Sequence, residues 1–140
     1  MRYVILVKSC PEFEAQPSTG VRIEPAVFTA MAQYHEELAR AGVLLDANGL
    51  KPSRDGWRVR YDATGRRTID GPFAETSELV AGYTLIQVSS REEALEWSRR
   101  FPNPAGEGRP AEIEVRELQE LDDFAPSEEL ERFRALDAVK

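Results

Sequence analysis

The chain has 140 residues, 41% hydrophobic and 31% charged, with a formal net charge of −7. This supplies one domain with one core and excludes a wholly disordered chain. No apolar run approaches the ~20 residues needed to span a bilayer, and an acidic balance repels phosphate backbones, which disfavours general nucleic-acid binding.

Cys10 is the single cysteine, so an internal disulfide is excluded and a reducing, cytoplasmic setting is expected. The acidity is uneven. Residues 1–70 carry ten Lys/Arg and nine Asp/Glu, whereas residues 71–140 carry eight and sixteen. A solvated acidic face accounts for the second half.

The opening segment is too short in apolar residues for a signal peptide and lacks a small-residue cleavage site. Tyr3 to Val7 instead read as a first strand buried on both faces. Residues 9–24 show no period and contain Pro, Ser, Thr and Gly, which predicts a long loop, a flap over a site. Pro25 suits the first position of a helix. From there Val27, Phe28, Met31, Tyr34, Leu38 and Ala41 form one apolar stripe at about 100° per residue. Gly42 ends the helix, and Val43 to Leu45 begin a second strand.

Residues 56–70 predict a β-hairpin, with Trp57, Val59 and Tyr61 on one face, Arg58 and Arg60 on the other, and the turn near Asp62 to Gly65. Val80 to Val88 form a strand. Ser90 to Glu93 form a capping box that opens a second helix with Ala94, Trp97 and Phe101 on its buried side. Pro102 to Pro110 form a loop, and Ile113 and Val115 alternate with charges in a last strand. From Ser127 a short helix carries Leu130, Phe133 and Leu136 on one side, and must dock to be stable. The order is β-α-β-hairpin-β-α-β plus a helix, an α+β class with both main helices on one face of an antiparallel sheet. The other face leaves Val4 (or Tyr3), Tyr83 and Leu85 in need of a partner, which predicts a homodimer. Residues 1–121 form the domain and 122–140 a helical tail.

The stretch Asp70-Gly71-Pro72-Phe73-Ala74-Glu75-Thr76-Ser77-Glu78 closely resembles the signature of the DGPF group of YCII-related proteins, which usually has Lys where Ser77 stands. The helix end at 35–45, the segment 82–97 and the strand 113–116 also resemble that family, so the likeness covers about residues 1–118. It implies a ferredoxin-like βαββαβ fold with an inserted hairpin and a dimer of the α+β barrel kind. It implies little about activity. Some relatives look like dechlorinating or isomerising enzymes acting on aromatic-ring metabolites through a His–Asp pair, and others like regulatory companions of extracytoplasmic-function sigma factors. By spacing, the family's histidine falls near Met31, one turn before His35.

His35 is the only histidine and lies about 40° from the centre of the apolar stripe. It is either a general base in a cavity or a packed, hydrogen-bonded core histidine. Asp70 either orients His35 or caps its own turn. Asp46 is a weaker partner. Glu75 and Glu78 are three apart, which suits a shared metal or salt bridges to the hairpin. Arg58 and Arg60, with Arg54, Arg66 and Arg67 near them, match a carboxylate-bearing metabolite or simply keep a hairpin face solvated. Tyr83 is a ligand-stacking candidate, with core packing as the alternative. One His and one Cys do not make a zinc site and no phosphate loop occurs, so no metal or cofactor is expected. Two functions remain: a protein that binds a small anionic or aromatic metabolite, as a lyase or isomerase, or a non-catalytic regulatory protein.

Overall fold

The computed structural model describes residues 1–137. In chain order the elements are β1 (Arg2–Lys8), the single turn α1 (Pro11–Glu14), α2 (Pro25–Arg40), β2 (Leu44–Gly49), β3 (Trp57–Asp62), β4 (Gly65–Asp70), β5 (Val80–Gln87), α3 (Arg91–Arg99), β6 (Ile113–Glu117) and α4 (Glu128–Asp137). Four strands form an antiparallel sheet in the order β2-β5-β1-β6, and β3 and β4 form a separate two-stranded ribbon. α2 therefore joins strands with β5 lying between them, and α3 joins strands with β1 lying between them. This is the ferredoxin-like arrangement of an α+β domain.

Strand alternation selects the buried face. Tyr3 and Ile5 of β1 pair with Ile86 and Thr84 of β5, and these four side chains are all buried. Tyr3, Ile5 and Ile86 pack with Tyr34 and Leu38 of α2 and with Ala94 and Trp97 of α3 in one core. Both helices are thus on one side of the sheet. The Tyr34 hydroxyl donates to the Trp97 carbonyl at 2.7 Å, which ties the two helices together.

The helix ends follow the residues that carry them. Pro25 occupies the first turn of α2. At the other end Gly42 has φ 75°, the Gly42 amide donates to the Ala39 carbonyl, and the Val43 amide reaches back to the Leu38 carbonyl. This is a Schellman closure, in which glycine supplies the left-handed residue and the Val43 side chain returns to the core beside Leu38. The Ser90 hydroxyl accepts from the Glu93 amide at 3.1 Å and caps α3. The Glu93 carboxylate reaches back one residue beyond the cap, to the Ser89 amide. In the ribbon, Asp62 accepts from the amide and hydroxyl of Thr64, and the hydroxyl bond above all holds its carboxyl below the usual range.

Three segments differ from the sequence expectation. Residues 9–24 contain the helical turn α1, because Pro11 starts it and the Cys10 carbonyl accepts from the Glu14 amide. Phe28 is 63% exposed, because the space beneath it is open and not filled by core side chains. In α4 only Leu130 is buried, whereas Phe133 and Leu136 are exposed. Polar contacts accompany this single buried side chain, one just before the tail and one within it. Arg2 forms a two-pronged ion pair with Glu120, which lowers the Glu120 carboxyl, and Arg134 bonds Asp122.

Burial lifts the Tyr34 phenol well above the ordinary tyrosine range. Because the folded value is raised, the stabilisation is complete below pH ~10, where unfolded tyrosine is still neutral, and is lost as pH rises past it. Tyr34→Phe should cost about 1 kcal/mol at pH 7 in urea titrations, since the Trp97 carbonyl keeps the Arg100 amide as a second donor. It should also flatten the loss of stability above pH ~10. A variant as alkali-sensitive as the parent would contradict this reading.

Candidate functional site

Along the helix-covered face, cross-strand rows of side chains shrink from one end of the sheet to the other. Leu44, Ile86 and Tyr3 form the first row and belong to the core. Ala47, Thr84, Ile5 and Val115 form the second. The third is Gly49, Gly82, Val7 and Ile113. Where β2 and β5 contribute only glycines to the row, the sheet cannot reach α2, and a cavity of about 480 Å³ opens there. A Cβ built on Gly49 would meet nothing within 4 Å, so its face opens on empty space. Gly82 is constrained differently. A Cβ there would stand 3.0 Å from the Asn48 carbonyl oxygen, so the close approach of β2 requires glycine.

The cavity roof is the α2 face of Val27, Met31 and His35, and its mouth is framed by Phe13, Ile23, Phe28 and the 101–111 loop. The polar residues that border it are His35, Thr84, Ser9, Cys10, Lys8, Asn48 and Tyr83, and of these the Asn48 amide turns away from α2 to donate to the Tyr83 hydroxyl. The Lys8 ammonium lies 3.5 Å from a Glu114 carboxylate oxygen and is neutralised there. No arginine and no carboxylate side chain lines the wall. A volume of this size, mostly apolar with a few polar groups, is typical of small-molecule sites.

His35 is fixed at both ring nitrogens. Nδ1 is 2.7 Å from the Met31 carbonyl oxygen and Nε2 is 2.8 Å from the Thr84 hydroxyl. A carbonyl only accepts, so in the neutral ring Nδ1 carries the hydrogen, Nε2 is the acceptor, and the Thr84 hydroxyl donates to it. Thr84 then keeps its lone pairs for a ligand. Behind the imidazole stand the rings of Tyr34 and Phe101, both edge-on, at centroid distances of 5.5 and 6.1 Å. The pair therefore sits where the aromatic core meets the cavity. A base oriented by one fixed group and bonded to a hydroxyl is an arrangement suited to proton transfer.

The sequence-selected residues divide into two groups. His35 and Tyr83 border the cavity, but alternation turns the Tyr83 ring to the other face of the sheet, where its hydroxyl donates to Asp46 at 2.8 Å and accepts from Asn48. Asp70 is not the partner of His35. It ends β4 opposite Trp57, exposed, while Met31 and Thr84 occupy both imidazole nitrogens. Arg58 and Arg60 also lie outside the cavity. The Arg58 guanidinium stacks 3.8 Å over the Phe73 ring, and Arg60 faces Arg67 across the exposed ribbon. Glu75 and Glu78 are both exposed. Among the described residues, no group of three or more His, Cys, Asp or Glu side chains converges as metal ligands would. No helix among them is long and apolar enough to cross a membrane.

The Asp70 to Phe73 turn has a mechanical position instead. Its Gly71 packs so tightly on the 53–55 turn that a Cβ would stand 1.9 Å from the Ser53 carbonyl oxygen. The Phe73 amide donates to the Ser53 hydroxyl at 3.0 Å, and that hydroxyl donates to Glu14 at 2.7 Å. Glu14 also accepts from the Ser53 amide, and Arg54 donates to the Glu14 and Gln16 carbonyls. The signature turn thus anchors α1, and α1 carries Phe13 into the cavity wall.

Thr84, Ser9 and the Gly49–Gly82 pair were not selected from sequence. A signal existed for Thr84: it is the one aliphatic hydroxyl in the apolar run Val80 to Ile86, in phase with Ile86. The two glycines become neighbours only through strand register.

A family model described as the YCII-related domain matches residues 1–119. Among curated proteins, an uncharacterised protein of Rhizobium meliloti (strain 1021) is 32% identical over 77 residues, covering 55% of this chain and 62% of that protein. The match thus spans less than two thirds of the relative's own length.

Because the chain has a single histidine, nitrogen-15 NMR of the labelled protein isolates its ring. At a pH where the ring is neutral, Nδ1 should be the protonated nitrogen and Nε2 the bare one. Thr84→Val should leave that tautomer in place and cost about 1 kcal/mol in chemical denaturation. A ring protonated at Nε2 would refute the assigned bond directions.

Proposed function

Since the chain belongs to the YCII-related domain family, we propose that it binds a small, largely apolar organic molecule, aromatic rings included, in the cavity between α2 and the sheet. The observation that carries this reading is an apolar space of about 480 Å³ bordered by a fixed imidazole–hydroxyl pair. The ligand is neutral where it enters the cavity. Among the described residues Lys8 is the one lysine or arginine on the wall, it is paired with Glu114, and a buried charge with no counter-charge is costly. The chemistry that suits the pair is proton transfer of the lyase or isomerase type. Thr84 Oγ accepts a proton from the ligand as its own proton passes to His35 Nε2, and the Met31 carbonyl holds the ring in place.

The same reading includes a homodimer. Alternation turns Val4, Leu6, Tyr83 and Leu85 away from α2 and α3, and Trp57 and Tyr61 project from the ribbon, each 65% exposed. A second copy of the chain is the simplest cover for these apolar faces.

Binding is tested by calorimetry and thermal shift with phenol, 4-methylphenol and benzoate. The neutral phenols should raise the melting temperature more than benzoate does. Gly49→Leu, whose side chain enters the open space, should abolish that shift while leaving the free protein about as stable. Absence of any shift, or an equal shift in Gly49→Leu, would sink the cavity reading and favour a non-catalytic regulatory protein. For the dimer, light scattering at low micromolar concentration should return twice the monomer mass, and a monomer at that concentration would refute it.

A further inference from the structure

Two exposed apolar stripes of this chain lie on segments of opposite charge. In the ribbon of β3 and β4, alternation puts Trp57, Val59 and Tyr61 on one face, and all three are exposed. The ribbon, residues 57–70, carries four arginines against two aspartates. Arg60 stands directly opposite Arg67, a like-charge pair that is unfavourable in a ladder and that a nearby anion would relieve. Among the described residues none of the four arginines is ion-paired.

The tail carries the complement. Residues 118–137 hold seven acidic side chains against two arginines. Phe133 and Leu136 of α4 are exposed and three apart, so they are neighbours on the helix surface. Glu129 stands four residues before Phe133 and shares that face. Neither Glu128 nor Glu129 is ion-paired among the described residues. Within one chain the two stripes are far apart. The ribbon leaves the β2 side of the sheet, between Gly49 and Val80, at the end where Lys8 lies. α4 is held at the diagonally opposite corner, beyond the β6 edge, because Arg134 bonds Asp122 and Glu120 bonds Arg2. Across four strands of this length the two corners are about 25 Å apart.

We infer that α4 of each chain docks on the ribbon of a second copy. Phe133 and Leu136 then cover Trp57, Val59 and Tyr61, and Glu128 and Glu129 come within reach of Arg66 and Arg67. Two chains packed through the outer faces of their sheets meet this demand with a two-fold axis along the sheet's other diagonal. That axis sets each tail corner over the partner's ribbon corner. It also crosses the strands of the two sheets at about 90°, one of the two ways in which sheets stack. The inference rests on the homodimer reading and adds the segment that covers the ribbon.

Sedimentation and acrylamide quenching of tryptophan fluorescence on the full chain test this. Trp57 is open to the quencher in a single chain whereas Trp97 is buried, so quenching should fall as the dimer forms with concentration. In Phe133→Ser/Leu136→Ser the dimer dissociation constant should rise about a hundredfold, because two apolar side chains are lost at each of two contacts, and Trp57 should stay quenchable. Arg66→Glu/Arg67→Glu should weaken the dimer about tenfold, and so should Glu128→Arg/Glu129→Arg. The chain that combines all four charge reversals should regain most of the parent's affinity. A parent dimer whose dissociation constant and Trp57 quenching are unchanged in Phe133→Ser/Leu136→Ser would overturn the tail contact and leave the homodimer reading standing. So would a combined charge reversal that recovers no affinity. If the parent is a monomer at low micromolar concentration, the homodimer reading fails and this inference fails with it.

Discussion

The register between β1 and β5 is the constraint on which the rest of this structure depends. Side chains alternate across a sheet, so sliding β1 by one residue would carry Tyr3 and Ile5 to the far face and bring Val4 and Leu6 under the helices. The observed register sets Ile5 opposite Thr84 and Val7 opposite Gly82. The first pairing brings the threonine hydroxyl beneath α2, where His35 reaches it at 2.8 Å. The second sets Val7 beside a glycine, in a row to which β2 also contributes only glycine. Core, polar pair and cavity are therefore successive rows of one sheet.

This geometry separates two roles that a family signature tends to merge. The Asp70 to Phe73 turn is the most recognisable segment of the chain, yet it lies on the ribbon and not in the cavity. Its tight packing on Ser53 is the kind of backbone contact that only glycine permits. The turn acts at a distance, through Ser53 and Glu14, on the helical turn that closes one side of the cavity. The arginines of the ribbon stack on aromatic rings or lie exposed, Arg54 just before it bonds backbone carbonyls, and none of them lines the cavity.

The His35–Thr84 pair at the cavity is aimed by its neighbours. Met31 fixes His35 through the backbone, His35 takes the Thr84 proton, and Tyr34 and Phe101 wall the ring on the core side. Lys8 is held by Glu114.

The sequence by itself determined the elements and their order. Pro25 and Gly42 bounded α2, Ser90 capped α3, and the alternation in residues 56–70 marked the ribbon, because caps, turns and periods act within a few residues of chain. It also determined the family, through the Asp70-Gly71-Pro72-Phe73 segment, and it turned His35 toward the covered side of its helix. The partner of His35 was not legible, and proximity in motif logic suggested Asp70 where the fold supplies Thr84. Thr84 lies 49 positions from His35, and Gly82 lies 33 from Gly49. Only strand pairing brings such residues together, because register is decided by how a whole face of apolar side chains is buried. The same holds for Phe133 and Leu136. Their spacing promised a buried stripe, but the tertiary structure buries Leu130 and leaves them in solvent, because a helix period states which side chains share a face and not whether anything covers it.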